Sequence, residues 1–304
     1  MTRLSPRRHV PVWGRQGRAG EERGAEWVLG FLASLSLVAL GLIFVFLLRE
    51  ALPFFNLYAV GAFLTGREWQ PVSTNPRFGL VPLATGSLLV TVGAAVIAVP
   101  VGVGVALFLS EVAPRRLREM LKPGLELLAA IPSVVYGFFG LVVLSRWLQA
   151  AFGLNSGLNA LNGSILLAVM SLPTIVTLSE DALRAVPDTY RAASLAMGAS
   201  RLETIFHVTL PAARSGIVAA VMLGLGRVIG ETMAVLMVTG NAAQVSFSWL
   251  DSVRTMTATV AAEMAECPWG STHYHALFAV GAVLFAVTFL INAAADALLR
   301  KGVR

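Results

Sequence analysis

The sequence predicts an all-α fold, a polytopic membrane bundle of six transmembrane helices. Composition is the first reason: 56% of the 304 residues are hydrophobic and 13% are charged, against about 45–50% and about 25% in an ordinary soluble domain. The second is that apolar runs of about 20 residues, the length that crosses a bilayer core, recur along the chain. The third is where the charge falls, because the basic residues sit in short clusters between those runs. Such clustering orients membrane helices, and it argues against a nucleic-acid surface even at a net charge of +6. A typical soluble enzyme is excluded.

The first span, residues 27–48, follows an Arg-rich stretch of 26 residues. It is too long for a signal-peptide core and has no A-x-A site after it, so it is expected to stay attached. Arg7-Arg8 in that tail reads as topology control rather than as a twin-arginine export signal. Further spans are expected at 83–109, 123–148, 161–178, 212–239 and 276–298. Pro100, Pro132 and Pro173 each fall inside one of them, where a missing N–H must be compensated by neighbouring helices or a polar cavity. Gly102, Gly104, Gly224, Gly226 and Gly230 allow helices to approach closely.

An even number of spans returns both termini to one side. Of the 23 basic residues, 17 lie in the two tails, the 110–122 loop and the 183–214 segment, so both termini are expected in the cytoplasm. The two long loops, 49–82 and 240–275, then lie outside. Residues 252–266 place Val253, Met256, Val260 and Met264 near helical spacing, which suits either an interfacial helix at a gate or partner contact, or structural filler. Cys267 is the only cysteine, which excludes an intrachain disulfide and a cysteine metal cluster.

The cytoplasmic stretch 183–211 reads as two short helices joined by a turn. Pro187 starts the first and Gly198 ends it in a left-handed conformation. Ser200 and Glu203 form an S-x-x-E capping box for the second, in which Leu202, Ile205, Phe206 and Thr209 follow i, i+3, i+4, i+7 spacing. Pro211 is expected to close it. A hairpin this small cannot bury its apolar side by itself, so it needs either the bundle or another protein.

The order Ala192-Ala193-Ser194, Gly198-Ala199, Val208-Thr209-Leu210-Pro211 resembles the EAA loop of bacterial ABC importer permeases, with Ala192 where that loop usually has Glu. The resemblance narrows at MLGLGRVIGETMAVLMVTGN (222–241), EALPFF (50–55), FLTGREWQPV (63–72), LSEVAPRRLR (109–118) and IPSVVYGFFGL (131–141). Together these segments resemble the PstC family, the permease subunits of bacterial phosphate ABC importers. The resemblance implies a MetI-like permease fold in the bacterial inner membrane and a PstA-like permease partner. It also implies a dimer of PstB-like ATPases that bind the ATP, and an external PstS-like phosphate-binding protein. This chain is then expected to need no cofactor of its own and to be no enzyme, and it contains no G-x-x-x-x-G-K-[ST] with which to hold a nucleotide. It divides into an Arg-rich cytoplasmic tail (1–26), the first transmembrane helix with its external loop (27–82) and the permease core (83–304), whose segment 183–211 couples to the ATPase. Ala192, Ala193, Ser194, Gly198, Ala199, Leu210 and Pro211 are the coupling residues that the resemblance implies.

Arg227 and Glu231 are the candidate translocation residues. They stand four apart in the fifth expected span and so share one helical face. An arginine at a helix centre in a bilayer costs roughly 2.5–3.5 kcal/mol even on the lowest scales, so it faces a partner or a watery path. Arg227 offers charge-assisted donors to a phosphate oxygen, and Glu231 orients it and moderates the trap. The alternative is an Arg–Glu pair that only fixes packing. His273 and His275 lack a third metal ligand and read as interfacial residues, and Glu180 and Asp181 as solvated or structural groups at a cytoplasmic helix end. Three other readings remain open: the permease of a related ABC oxyanion importer, since one arginine pairs with sulfate or molybdate by similar geometry, a proton-coupled anion symporter using Glu231 and Glu180, which would transport without ATP, and a purely structural subunit, which would tolerate loss of Arg227. An intramembrane hydrolase lacks any nucleophile–base constellation.

Overall fold

The computed structural model describes the backbone of residues 15–301, with the side chains of 26–294 and of Ala297. Arg7-Arg8 and the rest of the first 14 residues, together with Arg304, lie outside the described residues. The chain falls into two compact units, residues 1–49 and 50–304. The smaller unit holds most of α1 (Arg15–Leu57). From 26 to 49 its side chains are exposed or half-exposed, Trp27, Phe31 and Leu42 among them, as suits a helix that is apolar all round and has lipid for a solvent.

The larger unit runs through α2 (Val60–Thr65), a small antiparallel hairpin β1 (Trp69–Gln70) and β2 (Arg77–Phe78), and α3 (Val81–Leu107), which a π-helical turn prolongs to Val112. It continues with α4 (Arg115–Ala130), α5 (Ser133–Phe139), a π turn at Gly140–Leu144, α6 (Ser145–Phe152), α7 (Ala160–Arg184) and α8 (Asp188–Ala196). Next come α9 (Arg201–Thr204), a π turn at Ile205–Thr209, α10 (Leu210–Gly230), α11 (Met233–Val238), α12 (Met256–Glu263) and α13 (Thr272–Lys301). Six stretches of the described chain are long and apolar enough to cross a membrane: Glu26–Leu57, Val81–Val112, Ser133–Phe152, Ala160–Arg184, Arg201–Gly230 and Thr272–Ala294.

Two expected spans change. The third, expected at 123–148, is broken at Ile131–Pro132. Pro132 holds Ile131 extended, so α4 stops there and a new helix starts at Ser133. At 100° per residue α4 gathers Arg115, Arg118, Glu119, Lys122 and Glu126 on one side, and none of its residues is buried. The fifth span, expected at 212–239, starts at Arg201 and stops at Gly230. Pro211 does not close the hairpin's second helix but sits in the first turn of α10. A proline ring crowds the carbonyl four residues back and supplies no N–H, and the widened π turn directly before it absorbs both defects. Pro100 and Pro173 leave α3 and α7 unbroken.

Helix α7 is the centre of the bundle. In lipid, apolar burial alone does not pull helices together, so close packing has to. Along α3 the buried positions Gly86, Val90, Ala94, Ala98, Gly102 and Ala106 recur every four residues. On the other side of α7, α10 buries Ala213, Ile217, Ala220, Gly224 and Val228. Ile175 is gripped from both sides: a Cβ at Gly102 would stand 2.7 Å from its Cγ2, and one at Gly224 2.5 Å from its Cγ1. Gly104 and Gly230 face open space instead. The end of the bundle that carries the loops 58–80 and 239–271 has a second core of Phe54, Phe63, Trp69, Phe78, Leu83, Met256 and Leu277. Helix α12, the expected interfacial segment, buries Met256 in this core, while Val253 is buried in the main one, so it is packed inside the protein rather than laid on lipid.

Candidate translocation path and coupling segment

Helix α10 carries Arg227 about one turn beyond the level of the centre of α7, where Gly224 lies against Ile175 and Ser171. The guanidinium is exposed and has no hydrogen bond or ion pair among the described residues. Glu231 is not on the same helical face. The helix ends at Gly230, and Glu231 is extended (φ −68°, ψ 131°). Its Oε1 accepts the Ala234 N–H at 3.3 Å, and its carbonyl accepts the Thr257 hydroxyl at 2.9 Å. A break at bilayer depth leaves backbone groups that lipid cannot satisfy. The Glu231 carboxylate supplies one acceptor for the start of α11, and Thr257 supplies one donor for the end of α10. Glu231 also lines a small cavity with Ser87, Thr91, Thr255 and Thr257. The pair expected from spacing is therefore two separate groups: a free cation on the helix, and a carboxylate that holds the break.

At the other end of the same helical rod stands the hairpin. Pro187 precedes α8, and Gly198 follows its cap, Met197, at φ +90°. Gly198 N–H donates to Leu195 O at 3.0 Å and Ala199 N–H to Ser194 O at 3.2 Å, the two bonds of a Schellman turn. The Ser200–Glu203 capping box is formed in both directions. Ala192, Ala193 and Gly198 are exposed, Ser194 and Ala199 half-buried, and the Ser194 hydroxyl meets that of Thr204 at 2.9 Å. Leu210 and Pro211 belong to the first turn of α10. Leu195, Met197, Leu202 and Phe206 are exposed on the hairpin, Met197 to 88%.

Three charged clusters were not assembled from the sequence, although Glu180 was read there as solvated or structural, of which its full burial leaves the structural reading, and His273 as interfacial. Arg191 on α8 reaches Glu111 at the end of α3, with Nη2 to Oε1 at 2.8 Å. Its hydrogen bonds to Glu111 hold its pKa above the ordinary arginine value, against the opposing effect of partial burial. Only its i−3 neighbour Asp188 was visible from spacing. Glu180, fully buried, is approached by Arg184 at 2.6 Å and by Arg118 and Lys122 at 3.8 Å. It is a structural ion cluster, and its i,i+4 pairing with Arg184 was the available signal. At the opposite end of the bundle from the hairpin, Glu263 gathers Arg254, His273 at 2.8 Å and the Trp69 indole N–H at 3.0 Å. His275 Nδ1 lies 2.7 Å from the Glu50 carbonyl oxygen.

A family model described as the binding-protein-dependent transport system inner membrane component matches residues 98–304. The chain is 37% identical over 281 residues to the probable ABC transporter permease protein YqgH of Bacillus subtilis, covering 92% of this chain and 91% of that protein. It is 38% identical over 259 residues to the phosphate transport system permease protein PstC of Mesorhizobium japonicum, with 79% and 78% covered. With the phosphate transport system permease protein PstC 2 of Mycobacterium tuberculosis it shares 35% identity over 312 residues, 95% and 94% covered. Its fold matches a chain of a bacterial alginate ABC transporter with a TM-score of 0.62 at 13% identity, covering 92% of this chain and 96% of that one. It also matches a chain of the inward-facing MetNI methionine ABC transporter with a TM-score of 0.58 at 19% identity, covering 73% and 97%. The chain thus belongs to the binding-protein-dependent transport system inner membrane components, among the PstC-type permeases, as a multi-pass inner-membrane protein of MetI-like fold.

Proposed function

We propose that this chain is one permease subunit of an ATP-driven phosphate importer, and that it moves the anion without altering it. It forms the path with a second, PstA-like permease, receives phosphate from a PstS-like external binding protein, and is driven by a PstB-like ATPase dimer that binds the ATP. Both termini face the cytoplasm, as the basic clusters favour. The single observation that carries the reading is the rod Arg201–Gly230, about 45 Å long at 1.5 Å per residue. It has an exposed apolar hairpin at its inner end and an uncommitted guanidinium near its outer end. Movement imposed on the hairpin is thereby carried to the only residue of the rod whose charge-assisted donors suit a phosphate oxygen at bilayer depth. Glu231 contributes by holding the helix break beside that cation and tempering its field. Named relatives that are phosphate permeases support phosphate as the cargo.

The test is phosphate uptake by the four-subunit complex in vesicles, comparing wild type, Arg227→Ala and Arg227→Lys, with assembly and ATP hydrolysis measured beside it. Uptake lost in Arg227→Ala with assembly retained is expected. Normal uptake in both variants refutes the role of Arg227, and uptake by the isolated chain without any ATPase refutes the importer.

A further inference from the structure

Among the described residues, one side chain ties the segment 187–209 to the rest of the bundle by hydrogen bonds. At the two roots of the hairpin Leu183, Val186, Ala213 and Ile217 pack with Ala106 of α3, and such apolar contacts are non-directional and can slide. Arg191 is different. Its Nε and Nη2 donate to Glu111 at 3.4 and 2.8 Å, Nη2 also donates to Leu183 O at 2.9 Å, and Nη1 donates to Val186 O at 2.7 Å and Asp188 Oδ1 at 3.1 Å. A guanidinium has five N–H donors in a fixed planar fork, and these bonds use all of them. The acceptors belong to the last turn of the span Val81–Val112, the exit of α7 and the start of α8. Among the described residues, no other side chain of segment 187–209 hydrogen-bonds outside it. Both ends of the pair are largely buried, with Arg191 20% and Glu111 11% exposed, so solvent screening is weak.

The same span end is held from a second direction. Arg118 of α4 donates to Leu109 O at 2.5 Å and to Ser110 O at 3.0 Å, and stands 3.8 Å from Glu180 of α7. Glu111 therefore cannot swing freely to follow or ignore Arg191, because the turn that carries it is anchored.

We propose that Arg191 is the positioning residue that turns movement of the hairpin into movement of the span Val81–Val112, with Glu111 as its grip. This rests on the importer reading above. The rod Arg201–Gly230 moves because it is covalently continuous with the hairpin, whereas Val81–Val112 is packed on α7 and α10 and is joined directly to the hairpin by the hydrogen bonds of Arg191. Without the clamp the ATPase still closes on the hairpin and one wall of the path stays behind, so ATP is hydrolysed and phosphate is not moved. A lysine does not replace it, since a single ammonium cannot bind the carboxylate and reach carbonyls on two sides in the same fixed geometry.

The experiment measures phosphate imported per ATP hydrolysed by the reconstituted complex carrying Arg191→Ala, Arg191→Lys or Glu111→Gln. All three should assemble and hydrolyse ATP near the wild-type rate, with the import ratio falling about tenfold in Arg191→Ala, within the usual range of coupling between sites. A covalent tether supplies the link without the charge. In a Cys267→Ser background, Arg191→Cys with Glu111→Cys should import poorly until a short bismaleimide joins the two thiols, and then recover. An unchanged ratio in Arg191→Ala and Glu111→Gln overturns the clamp. So does a loss of import that only tracks lost ATP hydrolysis or assembly and that the tether does not restore. A wild-type complex that hydrolyses ATP and imports nothing refutes the importer reading instead, and the clamp with it.

Discussion

Replacing Gly198 by alanine adds a Cβ to a backbone held at φ +90°, with no heavy atom within 4 Å to obstruct it. The cost is therefore conformational and not steric, roughly 1–2 kcal/mol for an L-residue in the left-handed region. Two hydrogen bonds, Gly198 N–H to Leu195 O and Ala199 N–H to Ser194 O, depend on that conformation. They set the angle between α8 and α9. A penalty of this size reduces the population of the native turn about 5- to 30-fold. The assay is titration of the ATPase subunit onto the permease in lipid nanodiscs, with Gly124→Ala as the control. Gly124 is equally open but lies inside α4 without a positive φ. The Gly198→Ala protein should bind about 5- to 30-fold more weakly, Gly198→Asn should fall between it and wild type because Asn tolerates the left-handed region, and Gly124→Ala should bind normally. Equal affinities for Gly198→Ala and wild type would show that the left-handed turn does not set the docking geometry.

Other substitutions probe the bundle itself. Gly224→Ala forces a methyl onto Ile175 and should lower thermal stability by about 1–3 kcal/mol, and Ile175→Ala in the same chain should return part of it. If Gly224→Ala costs as much in the Ile175→Ala background as in the wild type, α7 and α10 are not in contact there. Glu180→Ala strands Arg118, Lys122 and Arg184 around an empty centre and should cost about 3–5 kcal/mol, as removal of one buried ionic partner does. Melting of the detergent-solubilised protein within a degree of wild type would show the cluster to be idle. Burial raises the Cys267 pKa above the ordinary thiol value, and the nearby Glu263 charge adds to it. Less thiolate is present at any given pH, so alkylation by iodoacetamide should be slower than that of an exposed cysteine peptide and should accelerate only at higher pH. A rate profile matching the free peptide would contradict this.

The six spans were legible because a bilayer demands length and apolarity whatever the tertiary contacts, and both are counted along the chain. The hairpin was legible for a different reason: Pro187, Gly198, Ser200 and Glu203 act through backbone within a few residues, and that short-range chemistry left the Schellman turn and the capping box in plain view. Breaks inside apolar runs were not. Nothing in GLGRVIGETMA distinguishes a helix that runs through Glu231 from one that stops at Gly230, because the groups that satisfy the break, above all Thr257, come from 26 residues further on. Arg227 and Glu231 were thus chosen as residues without their geometry being visible. Arg191 was passed over because its partner, Glu111, lies 80 residues away, and pairing at that distance leaves no periodic trace.

The π turn at Ile205–Thr209 has a consequence for phase. An α-helix advances 100° per residue, so the widened turn decides which way the hairpin points relative to Arg227. Removing one residue from Ile205–Thr209 would tighten the turn, rotate the hairpin by about 100° about the axis of α10 and shorten the rod by about 1.5 Å. Every local contact within α8 and α9 would survive, yet the handle would be mounted at the wrong azimuth. The angular setting between the hairpin and Arg227 is stored in a single extra residue of helix.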